Sequence, residues 1–251
     1  MSRIKPVLAV ILSLVTLFGG IAWAETLILN TGTRNPYTTE DHRGFLDQLI
    51  GELFRRVDLQ AEVLVYDASA RALANANNGI DAGVAMRIKG LERKYPNLVM
   101  VPEKVIDNDF VAYSLQYDFQ ITEWNSLTPH LVGYILGWQI FERNMPQATP
   151  VEKAIGPEQL FLLLEKGRVD VILYERWQGL WRAGQLGLDV RIYEPPLAQR
   201  GMYIYLHKRY AHLVDRVSAE LAAMKQDGSY QAIVDRTLTP LLPPVQRPST
   251  R

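Results

Sequence analysis

The 251-residue chain contains no cysteine. No disulfide can form, no N-terminal cysteine can be acylated, and a structural zinc site loses its commonest ligand. An excess of either charge is also missing, since 27 lysines and arginines face 27 aspartates and glutamates. That balance argues against the basic stripe of a nucleic-acid-binding protein, so no nucleic-acid partner is expected. Histidines 42, 130, 207 and 212 stand alone without paired metal spacing, and no metal or cofactor is expected. The chain has no Gly-x-Ser-x-Gly elbow, no phosphate loop and no dinucleotide fingerprint.

One long apolar run is present, and it stands at the start. Arg3 and Lys5 precede an almost wholly apolar Pro6 to Phe18, and Ala22-Trp23-Ala24 has the small-x-small pattern of a cleavage site. Residues 1–24 read as an export signal, because the run falls short of the roughly 20 residues a membrane span needs. An uncleaved anchor is the rival reading. Cleavage removes two basic residues and leaves 25 against 27 acids, a mature charge of −2. The expected address is the periplasm, where a chain without disulfides must rely on a packed core.

Downstream, short apolar runs alternate with helical periodicity. Thr26–Asn30, Ala61–Tyr66, Ala82–Met86 and Leu98–Val101 read as strands, and Phe45–Val57 and Ala68–Asn78 as helices between them. Phe110–Tyr117 is aromatic and without helical period, which suits an extended crossover. A second unit follows: strand Leu131–Leu136, a helix opened by Gly137-Trp138, helix Pro157–Lys166 and a strand ending at Glu175. Val190–Tyr193 and Met202–Leu206 read as strands, Tyr210–Met224 and Tyr230–Leu238 as helices, and Pro240 onward as a disordered tail. This is the pattern of α/β units with helices on a mostly parallel sheet.

Two stretches share a grammar. Asn78-Gly-Ile-Asp81 leads into an apolar strand ending at Arg87, and Gly167-Arg-Val-Asp170 leads into one ending at Glu175. A planar guanidinium at a strand end can meet a carboxylate bidentately. Opposite charges at corresponding strand ends would suit a zwitterion or a polar small molecule beyond the carboxyl ends of the strands. A structural ion pair at Arg87, or a salt bridge between the two units, would use the same residues without a ligand. Tyr37 is either a stacking ring or a half-buried loop aromatic. Trp177 and Trp181 read more readily as packing than as a ligand box.

Asn35-Pro-Tyr37 before Gly44-Phe45, Asn78-Gly-Ile-Asp81 before Arg87, and Tyr95-Pro-Asn-Leu98 occur in order. They are followed by Val132-Gly-Tyr134 before Gly137, Gly167-Arg-Val-Asp170 before Glu175, and Met224-Lys-Gln-Asp-Gly-Ser-Tyr230. Over about residues 26–238 this set resembles the periplasmic solute-binding proteins of the amino-acid-binding type (family 3), which serve ABC-type uptake transporters. The resemblance implies a two-lobed (type II) periplasmic binding protein-like α/β fold with two hinge crossovers. Lobe 1 would comprise 25–112 and 203–239, lobe 2 would comprise 113–202, and 240–251 would be the tail. It further implies a non-enzymatic, monomeric protein that captures a small polar or zwitterionic solute for an ABC-type membrane permease. Arg87 would grip the α-carboxylate, Glu175 would take the α-ammonium and Tyr37 would stack on the side chain. Gly137 and Trp138, which open the second-lobe helix, would also bind the ligand, Trp138 either covering an apolar or aromatic ligand or filling the cleft. Val84 and Trp138 stand where amino-acid binders tend to carry hydroxyls. Two other readings use the same scaffold: a sensory or partner-binding module with a degenerate cleft, and a dehydratase-like enzyme with Glu175 as general acid.

Overall fold

A computed structural model describes residues 26–116 and 119–243. Residues 1–24, expected to be an export signal, and residues 244–251 of the expected tail lie outside them. The elements begin with strand β1 (Leu27–Thr31), helix α1 (Phe45–Arg56), β2 (Ala61–Val65), α2 (Ser69–Asn77) and β3 (Gly83–Ile88). The long β4 (Leu98–Ser114) follows, then β5 (Val132–Ile135), α3 (Gln139–Asn144), β6 (Val151–Ala154), α4 (Pro157–Glu165), β7 (Val171–Glu175) and α5 (Arg176–Leu186). The chain continues through β8 (Arg191–Ile192), β9 (Ala198–His207), α6 (Val214–Gln226) and α7 (Ser229–Thr237).

All the strands join one sheet in the order β2-β1-β3-β9-β4-β7-β5-β6, with β8 on β4. β1 is parallel to β2 and β3, and β5 is parallel to β6 and β7. The join between these parallel groups is antiparallel throughout: β3 to β9, β9 to β4, and β4 to β7. β3 therefore runs with β4 and β7 runs against it. The two parallel groups point their carboxyl ends toward each other, which places the loops after β1, β3, β5 and β7 face to face.

The 17-residue β4 and the 10-residue β9 run through both groups. Of the crossovers expected at Phe110–Tyr117 and Met202–Leu206, residues 110–114 are thus the far portion of β4, and Met202–Leu206 lies within β9. The buried hydrophobic residues divide accordingly. One core draws on residues 27–105 and 202–238, and two more cover the faces of the second half within residues 111–193. Trp177 packs against the cores of both halves, which settles it as packing.

One expectation fails at the C-terminus. Residues 239–241 form a 3₁₀ turn, and Leu241 and Leu242 pack against the second-half core. Pro240–Pro243 is therefore an ordered clasp rather than part of a tail, because two leucines find apolar surface beside α5.

Candidate functional site

Arg87 owes its position to an irregularity in β3. Val84 pairs with Tyr205 but Arg87 pairs with Tyr203, so the ladder shifts register between them. Such a bulge re-aims the side chain that follows it. Just upstream, a Cβ on Gly83 would lie 2.1 Å from the Tyr205 carbonyl oxygen, so only glycine permits the strands to approach this closely.

The guanidinium is half-buried, and its Nε and Nη2 are shielded from solvent without any hydrogen-bond partner. Burial pulls its pKa below the ordinary arginine value, yet an arginine remains charged at any working pH. Among the described residues no carboxylate lies within ion-pair distance of it, so the ion-pair reading has no partner here.

Two further donors stand beside it. A Cβ on Gly32 would meet Ser69 Oγ at 2.6 Å and Arg87 Nη2 at 3.5 Å, so the missing side chain leaves a cradle between them. Ser69 is exposed at the first position of α2, whose N-terminus has no side-chain cap and no acidic residue in its first turn. A helix N-terminus presents unpaired N–H groups and the positive end of the helix dipole. A hydroxyl, a helix start and an unpartnered guanidinium together are suited to a carboxylate.

Glu175 is elsewhere engaged. It is 1% exposed, its Oε1 accepts from Tyr37 Oη at 2.9 Å, and its Oε2 accepts from the Gln178 N–H at 2.9 Å as it caps α5. Burial, with the Asp109 charge nearby, pushes its pKa up to about 7 against these hydrogen bonds. Tyr37 is itself fully buried, edge-on to Phe45 at 6.2 Å, and its hydroxyl also lies 3.4 Å from Asn108 Oδ1. The same environment raises the tyrosine pKa well above its usual value, through burial first and Glu175 second.

Two expectations are corrected here. A ring with no exposed surface cannot stack on a solute, and a carboxylate sealed by a tyrosine and a helix start is not presented to an ammonium. Tyr37 and Glu175 form a contact between the halves instead. That contact also rules out a salt bridge from Glu175 to Arg87.

Gly137 is exposed with φ +85°, a left-handed conformation that favours glycine, and its N–H donates to Glu142 Oε1 at 3.0 Å. Trp138 stacks on Phe141 (5.6 Å) and on Tyr174 (4.9 Å), so it braces the second half from within. Tyr174 in turn lines a cleft of about 880 Å³ between the halves. Gly32, Arg34, Leu64, Pro157 and Trp181 line it too, while Arg87, Tyr37, Gly137 and Trp138 do not. Gly32 is common to the wall of this cleft and to the surroundings of Arg87.

Gly32, Ser69, Tyr174 and Trp181 are the contributors that sequence reasoning missed or set aside. Ser69 carried a signal, as a hydroxyl opening a helix directly after a strand's carboxyl end. Gly32, between two threonines, gives its reason only once Ser69 and Arg87 are seen beside it.

No protein-family model matches the chain. An uncharacterised protein of Shewanella oneidensis is 27% identical over 173 residues, covering 64% of this chain and 64% of that protein, so the chain spans under two thirds of that relative's length. The GluR0 ligand-binding core in complex with L-glutamate matches with a TM-score of 0.70 at 10% identity, over 86% of this chain and 99% of that one. The periplasmic VFT2 domain of Bordetella pertussis BvgS matches at 0.65 with 15% identity, over 84% and 93%. The substrate-binding protein of an amino acid ABC transporter matches at 0.60 with 18% identity, over 84% and 98%. The protein thus has the fold of the two-lobed periplasmic binding proteins, a mixed α/β sheet flanked by helices.

Proposed function

We propose that the protein is a non-enzymatic binding protein that captures a small polar, carboxylate-bearing solute of amino-acid size between its two halves. The observation that carries this reading is Arg87: a cation set behind Gly32 and beside Ser69 and the α2 N-terminus, without a counter-charge of its own. A buried unpaired charge is costly, and a carboxylate ligand would relieve that cost. Residues 25–112 with 203–239, and 113–202, would move as two lobes about β4 and β9, closing on the solute like a hinge. Gly137 and Trp138 would support the second-lobe wall through Tyr174.

An exported monomer handing its solute to an ABC-type permease is the setting we propose. The name of the transporter-associated neighbour supports it. Binding rather than turnover is favoured because Glu175, with a pKa near 7 suited to a general acid, is closed off by Tyr37 and touches no open space.

Native mass spectrometry of the protein purified from its own periplasm tests the reading. A co-purifying small carboxylate that is lost in Arg87→Ala is the expected result. A wild-type protein that carries no small carboxylate and takes none up from a panel of organic acids and amino acids, or that takes up only sugars or polyamines, would refute it.

A further inference from the structure

We infer that the solute is a carboxylate without an ammonium group beside its carboxyl, carrying an apolar or aromatic body. The inference rests on the solute-binding reading above and narrows it to a chemical class.

The anion end of the site is complete. Arg87 Nε and Nη2 lack partners, Ser69 Oγ flanks the Gly32 cradle, and α2 opens without a cap. The cation end is closed. An α-ammonium needs an acceptor a few ångströms from the carboxylate, ideally a carboxylate of the protein, because it presents three donors and a full charge. Glu175 has an oxygen committed to the Tyr37 hydroxyl and an oxygen committed to the α5 N-terminus, and it is 1% exposed. Releasing it would strip Tyr37, itself buried, of its 2.9 Å bond.

The acids on the cleft wall are engaged as well. Glu158 is paired with Arg182, Asp47 accepts the N–H groups of Thr39 and Gly44, and Asp41 accepts from Thr39 Oγ1 and lies 3.7 Å from Arg43. Glu40 stands out at the exposed rim of the cleft. An amino acid bound through Arg87 would therefore bury its ammonium without a charged acceptor, at a cost that an amine-free acid of the same shape avoids.

The body of the solute is set by the rest of the wall. Leu64 is 44% exposed there, and Pro157, Tyr174 and the half-buried Trp181 stand opposite it. Aromatic faces and an exposed leucine favour an apolar or aromatic chain over a polyol.

Isothermal titration calorimetry with matched pairs tests this on the wild-type protein: 3-phenylpropanoate and phenylpyruvate against L-phenylalanine, and 4-methylpentanoate against L-leucine. The amine-free member of at least one pair is expected to bind at least tenfold more tightly than its amino acid, and Arg87→Ala to lose that binding. An amino acid that binds as tightly as its amine-free partner would overturn the inference and leave the solute-binding reading standing. If neither member of any pair binds, the inference fails. Another carboxylate that then binds and is lost in Arg87→Ala, such as a hydroxy acid or a dicarboxylate, would preserve the broader reading. Binding of only a sugar or polyamine, or silence from all of them, would end both.

Discussion

Arg87 is a residue that the protein stabilises poorly on its own account. Its guanidinium keeps its charge while losing water, and no carboxylate offsets the loss among the described residues. Replacing it by methionine should raise the melting midpoint of the unliganded protein, by a stabilisation of about 1–3 kcal/mol, because an apolar chain of similar length removes the buried charge. The same variant should bind the solute about 30-fold or more weakly, since truncating one side of a buried charge contact costs about 2–5 kcal/mol. Chemical denaturation and calorimetry on one preparation read both effects, and a variant that is less stable and binds unchanged would deny the arginine its role.

Glu175 makes an opposite kind of prediction, one of pH. Its folded pKa is about 7 and its ordinary value 4.5, so between those limits the folded state keeps a proton that the unfolded chain has released. Stability therefore falls as pH rises from 4.5 to 7, by about 3 kcal/mol for this group, and it is level with respect to Glu175 outside that window. Urea midpoints at pH 5 and pH 8 should drop more in the wild type than in Glu175→Gln. Protonation can also reverse the local bonds, with Glu175 donating to Tyr37 and the tyrosine hydroxyl turning to Asn108 Oδ1, 3.4 Å away. In Tyr37→Phe the carboxylate loses the hydroxyl that donates to it. The expected destabilisation, about 1–3 kcal/mol, should be larger at pH 8 than at pH 5. Equal losses at both would show that the hydroxyl acts only in packing.

At the scale of elements, Gly83 and Gly32 near the arginine do different work. Gly83 lets β3 close on the Tyr205 carbonyl, and Gly83→Ala should destabilise the protein by about 1–3 kcal/mol as the ladder shifts to relieve the clash. Gly32 leaves a cradle that alanine would fill. Gly32→Ala should leave the melting midpoint within a few degrees, because Ser69 is exposed and can rotate away, while the solute affinity falls at least tenfold. Thermal shift and calorimetry together separate these outcomes.

The elements themselves were largely legible. α1 announces itself by Phe45, Leu49 and Leu53 in one row, and it occupies Phe45–Arg56. β6 was not legible, because Val-Glu-Lys-Ala is four residues long, half charged and at the sheet's edge. Nor was the unity of β4, where Pro102, Glu103, Lys104, Asp107 and Asp109 interrupt the apolar runs at either end. Those polar residues are tolerated because the middle of β4 lies where the strand passes between the halves. The site was legible in part. Arg87 is a strand-end charge that the sequence shows directly. The Tyr37–Glu175 contact spans 138 positions, and it arises from the antiparallel join of two parallel groups, which no local pattern encodes.

At the scale of the whole molecule, one hydrogen-bonded sheet serves both halves. From Ile106 to Phe110 β4 pairs with β9 at every residue, so the passage between the halves is a paired ribbon rather than two loose linkers. Arg176 ties it further, donating to Asp109 of β4 at 3.0 Å and bidentately to Glu194 at 2.6 and 3.0 Å. Any closing motion has to twist this ribbon without breaking its ladder.

The clasp at the C-terminus bears on that motion. After α7 the chain leaves the first-half core and lays Leu241 and Leu242 against the second, beside the Trp177 that already touches both. The halves are thus joined at three places along the chain, and the third is the 3₁₀ turn Thr239–Leu241 with Leu242 after it. A third join of this kind restrains any opening of the mouth between the halves. Shortening it would make the protein harder to open, and cutting it away would leave a molecule that gapes wider.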